Sequence, residues 1–290
     1  MAANFTPEAT NAEGERVTQL LASGTARLAG SPSAALDAQL LLGYVLGRDR
    51  SWVLAHDDHR ASCAESAAFS HLIERRSCGE PVAYIRGVVQ WYGMALEVTP
   101  EVLIPRPETE LLVEEAIRAA ADHRASQIAD IGTGSGAIAI ALARALPSCS
   151  IVATDASVSA LKVAARNAKR MAVAERISLQ CGDLLTPVLT RPDLLVANLP
   201  YLSTTEFADL PRDVRYEPVG ALYAGEFGWE LYERLLDQLS ERAWHIPFIL
   251  ELDPPQAEHL CSRIRARLSV GRLAVLQDYA GDHRFVVYEP

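Results

Sequence analysis

Apolar positions recur at helical spacing through the first 80 residues, as in the stripe formed by Leu36, Leu40, Tyr44 and Val45. The pattern predicts helices over 15–22, 35–46 and 64–76, punctuated by Ser31-Pro32-Ser33 and Gly47-Arg48-Asp49, and hence a small helical bundle over 1–80. The period then breaks. Pro81, Gly87, Gly93 and Pro100 separate short stretches at 82–85 and 96–98, which suits a hairpin-like connector over 81–107. From 108 to 290 helical and strand-like stretches alternate. Strands are predicted at 127–131, 151–154, 177–181, 194–197, 248–252, 273–277 and 285–288. Helices are predicted near 135–146 and 157–172, with another marked by Trp229, Tyr232, Leu235, Leu236 and Leu239. Strand and helix in repeated order give an α/β fold with a mostly parallel sheet covered on both faces, and such sheets bind ligands at the carboxyl ends of their strands.

Composition narrows the class. Of 290 residues 49% are hydrophobic and 22% charged, the balance of a globular chain with a substantial core. The start Met1-Ala-Ala-Asn-Phe-Thr-Pro-Glu has neither a basic opening nor an apolar run. The longest apolar stretches, such as 137–143, fall short of the roughly 18 residues a membrane span needs, so neither secretion nor a membrane partner is expected. Five cysteines, Cys63, Cys78, Cys149, Cys181 and Cys261, are odd in number and widely spaced, which argues against a disulfide framework or zinc ribbon and for a reducing cytoplasm. The net charge of −10 divides into −3 over 1–80, from 7 basic and 10 acidic residues, and −7 over the remainder, from 20 basic and 27 acidic. Neither part is a basic surface of the kind that binds nucleic acid by neutralising phosphates.

The chemistry-bearing motifs fall where the predicted strands end. Asp130-Ile131-Gly132-Thr133-Gly134-Ser135-Gly136 follows the first strand and opens a helix rich in alanine and isoleucine. Its glycines permit positive φ and close backbone approach, and the helix start offers N–H groups to a polar ligand. The Gly-x-Gly-x-Gly spacing departs from the commonest dinucleotide fingerprint and disfavours a nicotinamide cofactor. Asp155 ends the next strand, where a carboxylate can accept two ribose hydroxyls, and Asp183 follows the third, where it can receive an adenine amino group. For either taken alone, a helix N-cap is an equal reading. Together these features resemble the nucleoside-binding edge of class I S-adenosylmethionine-dependent methyltransferases.

After the fourth strand comes Asn198-Leu199-Pro200-Tyr201. It resembles the Asn-Pro-Pro-Tyr box of methyltransferases that act on planar nitrogen. Such a nitrogen is a poor nucleophile because its lone pair is delocalised, so acceptors must hold its two N–H bonds. The Asn198 side-chain oxygen and the Leu199 carbonyl supply them, Pro200 stiffens the turn, and Tyr201 offers a flat surface to the planar group. Alignment and stabilisation of developing charge then carry the reaction, with no metal. Leu199 stands where the usual box has proline, which leaves the carbonyl in place and the backbone less restrained.

The acceptor is indicated by Gly79-Glu80-Pro81-Val82-Ala83-Tyr84-Ile85-Arg86-Gly87, Trp91-Tyr92-Gly93 and Val102-Leu103-Ile104-Pro105-Arg106-Pro107-Glu108-Thr109-Glu110. Val214-Arg215-Tyr216-Glu217-Pro218 with Ala221-Leu222, and Gln277-Asp278-Tyr279, extend the match. In order and spacing these resemble the release-factor glutamine methyltransferases of the PrmC/HemK type over nearly the whole chain. Asp253-Pro254-Pro255-Gln256 departs from that family's Glu-Ile-Gly stretch. The resemblance implies a seven-stranded Rossmann-like methyltransferase sheet whose last strand is antiparallel, with the helical domain helping to hold the protein substrate. It also implies methylation of N5 of the glutamine in the Gly-Gly-Gln loop of class I release factors, from S-adenosylmethionine with S-adenosylhomocysteine as product, by a cytoplasmic monomer. The implied cofactor set is Gly132, Thr133, Gly134, Ser135, Gly136, Asp155, Asp183, Leu184 and Asn198, and the catalytic set Asn198, Leu199, Pro200 and Tyr201, with segment 202–227 walling the glutamine slot.

Three rivals stand beside this reading: methylation of a base amine of DNA or ribosomal RNA, a nicotinamide oxidoreductase, and a binding module that keeps the pocket without turnover. Other features read as structural. His56-Asp57-Asp58-His59 is a solvated polar turn rather than a metal site. Arg166, Lys169 and Arg170, like Arg263, Arg265 and Arg267, form solvated helix faces. Trp91 and Tyr92 read as packing anchors between domains, and Arg106 and Glu108 as belonging either to an ion pair opening the catalytic domain or to a direct substrate contact.

Overall fold

The computed structural model describes residues 14–268 and 271–290, so the reading of the first residues from Met1 lies outside the described part. The chain forms two compact units, the first ending at Arg86 and the second beginning at Gly87.

The first unit holds helices α1 (Val17–Arg27), α2 (Ala34–Leu46), α3 (Arg50–Ala55), α4 (Cys63–Ser77) and α5 (Val82–Arg86). Their apolar stripes meet in one core containing Leu20, Leu41, Leu42, Val53, Phe69, Ile73 and Ile85. Gly24 lets α1 approach α4 closely, since a Cβ there would lie 2.7 Å from the Phe69 ring. Ser62 and Glu65 close a capping box at the start of α4. Asp37 and Arg76 form a buried ion pair at 2.8 Å between α2 and α4. The 82–85 stretch is a short helix and not a strand. The N–H groups of Tyr84 and Ile85 bond back to the Pro81 carbonyl, and Ile85 is drawn into the helical core. His56 stacks on Trp52 and His59 meets the same ring edge-on, both histidines being exposed.

The second unit opens with the hairpin β1 (Val88–Trp91) and β2 (Met94–Glu97). It continues through α6 (Thr109–Asp122), β3 (Gln127–Ile131), α7 (Ala137–Ala145), β4 (Ser150–Asp155), α8 (Val158–Arg170), β5 (Ile177–Cys181) and β6 (Leu194–Asn198). Then come β7 (Leu202–Ser203), α9 (Thr204–Ala208), β8 (Tyr223–Gly225), α10 (Glu230–Glu241), β9 (Phe248–Glu251), α11 (Ala257–Arg267), β10 (Arg272–Gln277) and β11 (His283–Glu289). Seven of these strands form one sheet in the order β10-β11-β9-β6-β3-β4-β5. The ladders from β5 to β9 are parallel, and β11 runs antiparallel to both of its neighbours.

Side chains alternate across the sheet. Ile128, Leu194, Val196 and Ile249 face a core shared with α6, α7, α8 and the hairpin, whereas Ala129, Ile131, Leu195, Ala197, Phe248 and Leu250 face α10 and α11. Trp91 and Met94 belong to the first of these cores, so Trp91 is an anchor inside this unit. The arginines of α11 do more than face solvent: Arg263 pairs with Glu233 at 2.6 Å and Arg267 with Asp237 at 2.6 Å, tying α11 to α10. Strand order reverses between β3 and β6, and at such a switch point the loops leave a crevice beyond the carboxyl ends of the strands.

Candidate active site

The register places the motifs together. Ile131 pairs with Thr154 on one side and Ala197 on the other, and Asn198 pairs with Glu251, so the glycine turn, Asp155, Asn198 and Glu251 end adjacent strands at one edge of the sheet.

The glycine turn is held from below by Asp130. This fully buried carboxylate accepts the Thr133 hydroxyl at 2.6 Å and the Ala139 N–H at 3.2 Å, while its Oδ1 has no partner. Burial pushes its pKa up to about 7. Gly132, Gly134 and Gly136 all adopt positive φ, at 76°, 53° and 82°. A Cβ at Gly132 would strike the Leu199 side chain at 2.8 Å, whereas one at Gly134 would meet open space. The first glycine therefore packs against the reaction-site turn, and the second faces outward where a ligand can approach. The Thr133 hydroxyl is spent on Asp130, and the Ser135 carbonyl accepts the Asn167 amide at 2.9 Å, so both side chains lie buried under the turn.

Asp155 accepts the Gly134 N–H and the Ser157 N–H, each at 2.8 Å, and burial raises its pKa. It is not a helix cap, since Ser157 caps α8. Two bonded N–H groups leave its carboxylate oxygens further lone pairs for ribose hydroxyls. Asp183 is half-exposed and engaged by Arg234 and Gln238 of α10. The following Leu184 is buried with φ 49°, its carbonyl accepting the Thr154 hydroxyl.

At the end of β6 the Asn198 amide donates from Nδ2 to the Thr109 hydroxyl at 3.0 Å. Leu199 is buried, and its N–H reaches the Tyr232 hydroxyl at 3.3 Å, a bond that proline at this position cannot make. The Tyr232 hydroxyl also lies 3.4 Å from the Leu199 carbonyl, but its single proton goes to the nearer main-chain oxygen of Glu251, so the Leu199 carbonyl keeps acceptor capacity. The Gln256 amide holds the Tyr201 carbonyl at 2.7 Å, giving the Asp253–Gln256 departure a structural purpose. Burial pushes the Tyr201 phenol up to about 12, so it stays neutral.

A cavity of about 180 Å³ opens beside this turn. Asn198, Leu199, Pro200 and Tyr201 form one side, Leu103 and Arg106 another, and Leu210, Val214, Ala221 and Leu222 the wall supplied by 202–227. That wall is pinned by the buried Glu217, which accepts the Arg106 guanidinium at 2.5 Å and the Ile104 N–H at 3.0 Å. The ion partner of Arg106 is thus Glu217, with Glu108 exposed. In the sequence alone Thr109, Tyr232 and Gln256 stand only within longer stretches and 251 falls in a predicted strand, so none of the four has a role in the site there; the signal for Glu251 is a glutamate closing the apolar run 248–250.

The chain matches the family described as the PrmC N-terminal domain over residues 19–87 and the Methyltransferase small domain over 107–210. Among solved structures it is similar to the catalytic domain of hMettl16, with a TM-score of 0.57 and 14% identity over 86% of this chain and 90% of that one. It is likewise similar to the human methyltransferase 10 domain containing protein, with a TM-score of 0.50 and 14% identity over 68% and 90%. At such identities these likenesses concern the fold alone. Fold and family model together define a methyltransferase, an enzyme that works with a methyl donor.

Relatives alike along the whole chain are more specific. The release factor glutamine methyltransferase of Moorella thermoacetica is 38% identical over 278 residues, covering 95% of this chain and 96% of that protein. The one from Deinococcus radiodurans is 36% identical, covering 93% and 97%, and that of Salmonella typhimurium 33%, covering 89% and 93%. This chain belongs to the release factor glutamine methyltransferase family. Among the described residues no helix is long and apolar enough to cross a membrane.

Proposed function

We propose that this enzyme transfers a methyl group from S-adenosylmethionine to N5 of the glutamine in the Gly-Gly-Gln loop of class I peptide-chain release factors. The observation that carries the reading is the adjacency of the outward-facing glycine turn and Asn198 on neighbouring strands, with a glutamine-sized apolar cavity against Asn198–Tyr201. The turn fits the donor. Gly134 has open space where a side chain would stand, and Asp155 retains acceptors at the end of the next strand.

In this reading Asp155 accepts the ribose hydroxyls, Asp183 and the Leu184 backbone hold the adenine, and Gly132 to Gly136 let main chain approach the methionine portion. S-adenosylmethionine, when bound, supplies a methyl group on an electron-poor sulfur. Asn198 Oδ1 and the Leu199 carbonyl each accept one N–H of the glutamine amide, turning the remaining face of its nitrogen outward. Both acceptors favour positive charge developing on that nitrogen, whose proton is then readily lost. Tyr201, kept neutral, packs on the amide plane, and Pro200 holds the turn. Residues 1–80 act as the docking domain for the release factor, joined through 81–107 to the transfer domain 108–290. The chain acts as a monomer in the cytoplasm, where its substrate works.

Labelled S-adenosylmethionine incubated with purified release factor, followed by mass mapping, tests the assignment. Label is expected on the Gly-Gly-Gln peptide and is lost when that glutamine is changed to alanine. Asn198→Ala should lower the transfer rate by about 100-fold or more with donor binding retained. Transfer near the parental rate would refute the role given to Asn198.

A further inference from the structure

We infer that Thr109 is a positioning residue that sets which way round the Asn198 carboxamide lies, using the Glu251 carboxylate as its anchor. The inference rests on the function proposed above and deepens it.

Alternation along the strands turns Asn198 and Glu251 to the same side of the sheet as Val196 and Ile249, beneath α6. Thr109 is the first residue of that helix and is buried there. Its hydroxyl carries one proton and can accept others. Glu251 lies opposite Asn198 on the neighbouring strand, and the Thr109 hydroxyl gives its proton to a carboxyl oxygen of Glu251, which can accept it whether the other oxygen is protonated or not. Toward Asn198, 3.0 Å away, the Thr109 oxygen is therefore left only as an acceptor, and the lobe of the amide that meets it must be the NH₂. Oδ1 is the lobe left over. With the opposite orientation, Asn198 would present N–H donors to the N–H donors of a glutamine amide, and no hydrogen bond would form.

A carboxyl buried to this degree is costly, and Glu251 keeps an Oε2 without a partner. Its bond from Thr109 serves to fix the polarity of the chain running from Asn198 through Thr109. A leucine at this position would fill the space and leave that polarity undefined.

The test compares Thr109→Val, which keeps the shape and removes the hydroxyl, with Thr109→Ser, which restores it. The valine variant should lose about 10- to 100-fold in kcat, with KM for release factor and affinity for the donor within about twofold of the parent. Serine should return kcat to within about threefold. Because Thr109 acts through Asn198, the double variant Asn198→Ala/Thr109→Val should be no slower than Asn198→Ala alone. A valine variant with parental kcat, or a double variant slowed by the product of the two single effects, overturns the inference while leaving the methylation reading intact. A parent enzyme that does not label the Gly-Gly-Gln peptide takes both down. If valine prevents folding, Thr109→Ala carries the same comparison.

Discussion

Asp130 and Glu251 are acids whose ionised forms the fold disfavours. Both lie on the same face of the sheet, both are buried, and burial pushes each up to about 7 from ordinary values of 3.8 and 4.5. Between roughly pH 4 and 7 the folded chain therefore holds protons that the unfolded chain has released, so these groups make stability fall as pH rises through that window and level off above it. Asp130→Asn keeps an acceptor for Thr133 and Ala139 but has no proton to lose. The variant should show a shallower fall of the urea midpoint between pH 4 and 7 than the parent, with the Glu251 share remaining. An unchanged slope would mean that Asp130 is ionised throughout. Asp155, which also ends a strand, carries two N–H bonds that oppose the effect of its burial.

Elements explain why the site has walls as well as a floor. The segment from β7 to β8 has few buried side chains of its own, and Leu202 pairs with Tyr223 in a two-stranded ladder outside the main sheet. Its attachment to the 103–106 loop runs through Glu217, so Glu217→Ala should leave the Arg106 guanidinium and the Ile104 N–H without their shared acceptor. The expected result is a loss of about 2–3 kcal/mol of stability and a raised KM for release factor, with donor affinity unchanged, measured by denaturation and steady-state kinetics. The central strands were legible in sequence because strands buried on both faces read as nearly unbroken apolar runs, as in Leu194 to Ala197, and the partly buried β5 and β10 still carry short apolar stretches. Some helices were not: α3 and α5 span barely more than one turn, too little for a helical period to register, so 82–85 reads only as part of a hairpin-like connector, and the longer α6 and α11 have no predicted range either. The site divides in the same way. The glycine turn and Asn198-Leu199-Pro200-Tyr201 are contiguous and visible, whereas Thr109 meets Asn198 across 89 positions and Tyr232 meets Leu199 across 33. Those partnerships exist only once α6 and α10 have packed on opposite faces of the sheet.

At the scale of the whole molecule, the groups assigned to the methyl donor and to the amide lie in one unit, and the docking role is proposed for the other. The described residues of the second unit contain every group assigned to the donor and to the amide, while the helical unit keeps its own core and a buried Asp37–Arg76 pair. A chain beginning at Gly87 should bind S-adenosylmethionine within about twofold of the intact enzyme yet need at least about tenfold more release factor for half-maximal rate. Equal KM values would remove the docking role from the helical unit. The pairing of Ile131 with Ala197 has a consequence for altering such an enzyme. Ile131 and Ala197, the residues just before Gly132 and Asn198, are held apart by the spacing of neighbouring strands, about 4.8 Å, which no side-chain replacement can stretch. That spacing is a fixed gauge shared by any acceptor brought to it, so redirecting the enzyme toward another amide is a matter of grafting a different enclosure over the gauge.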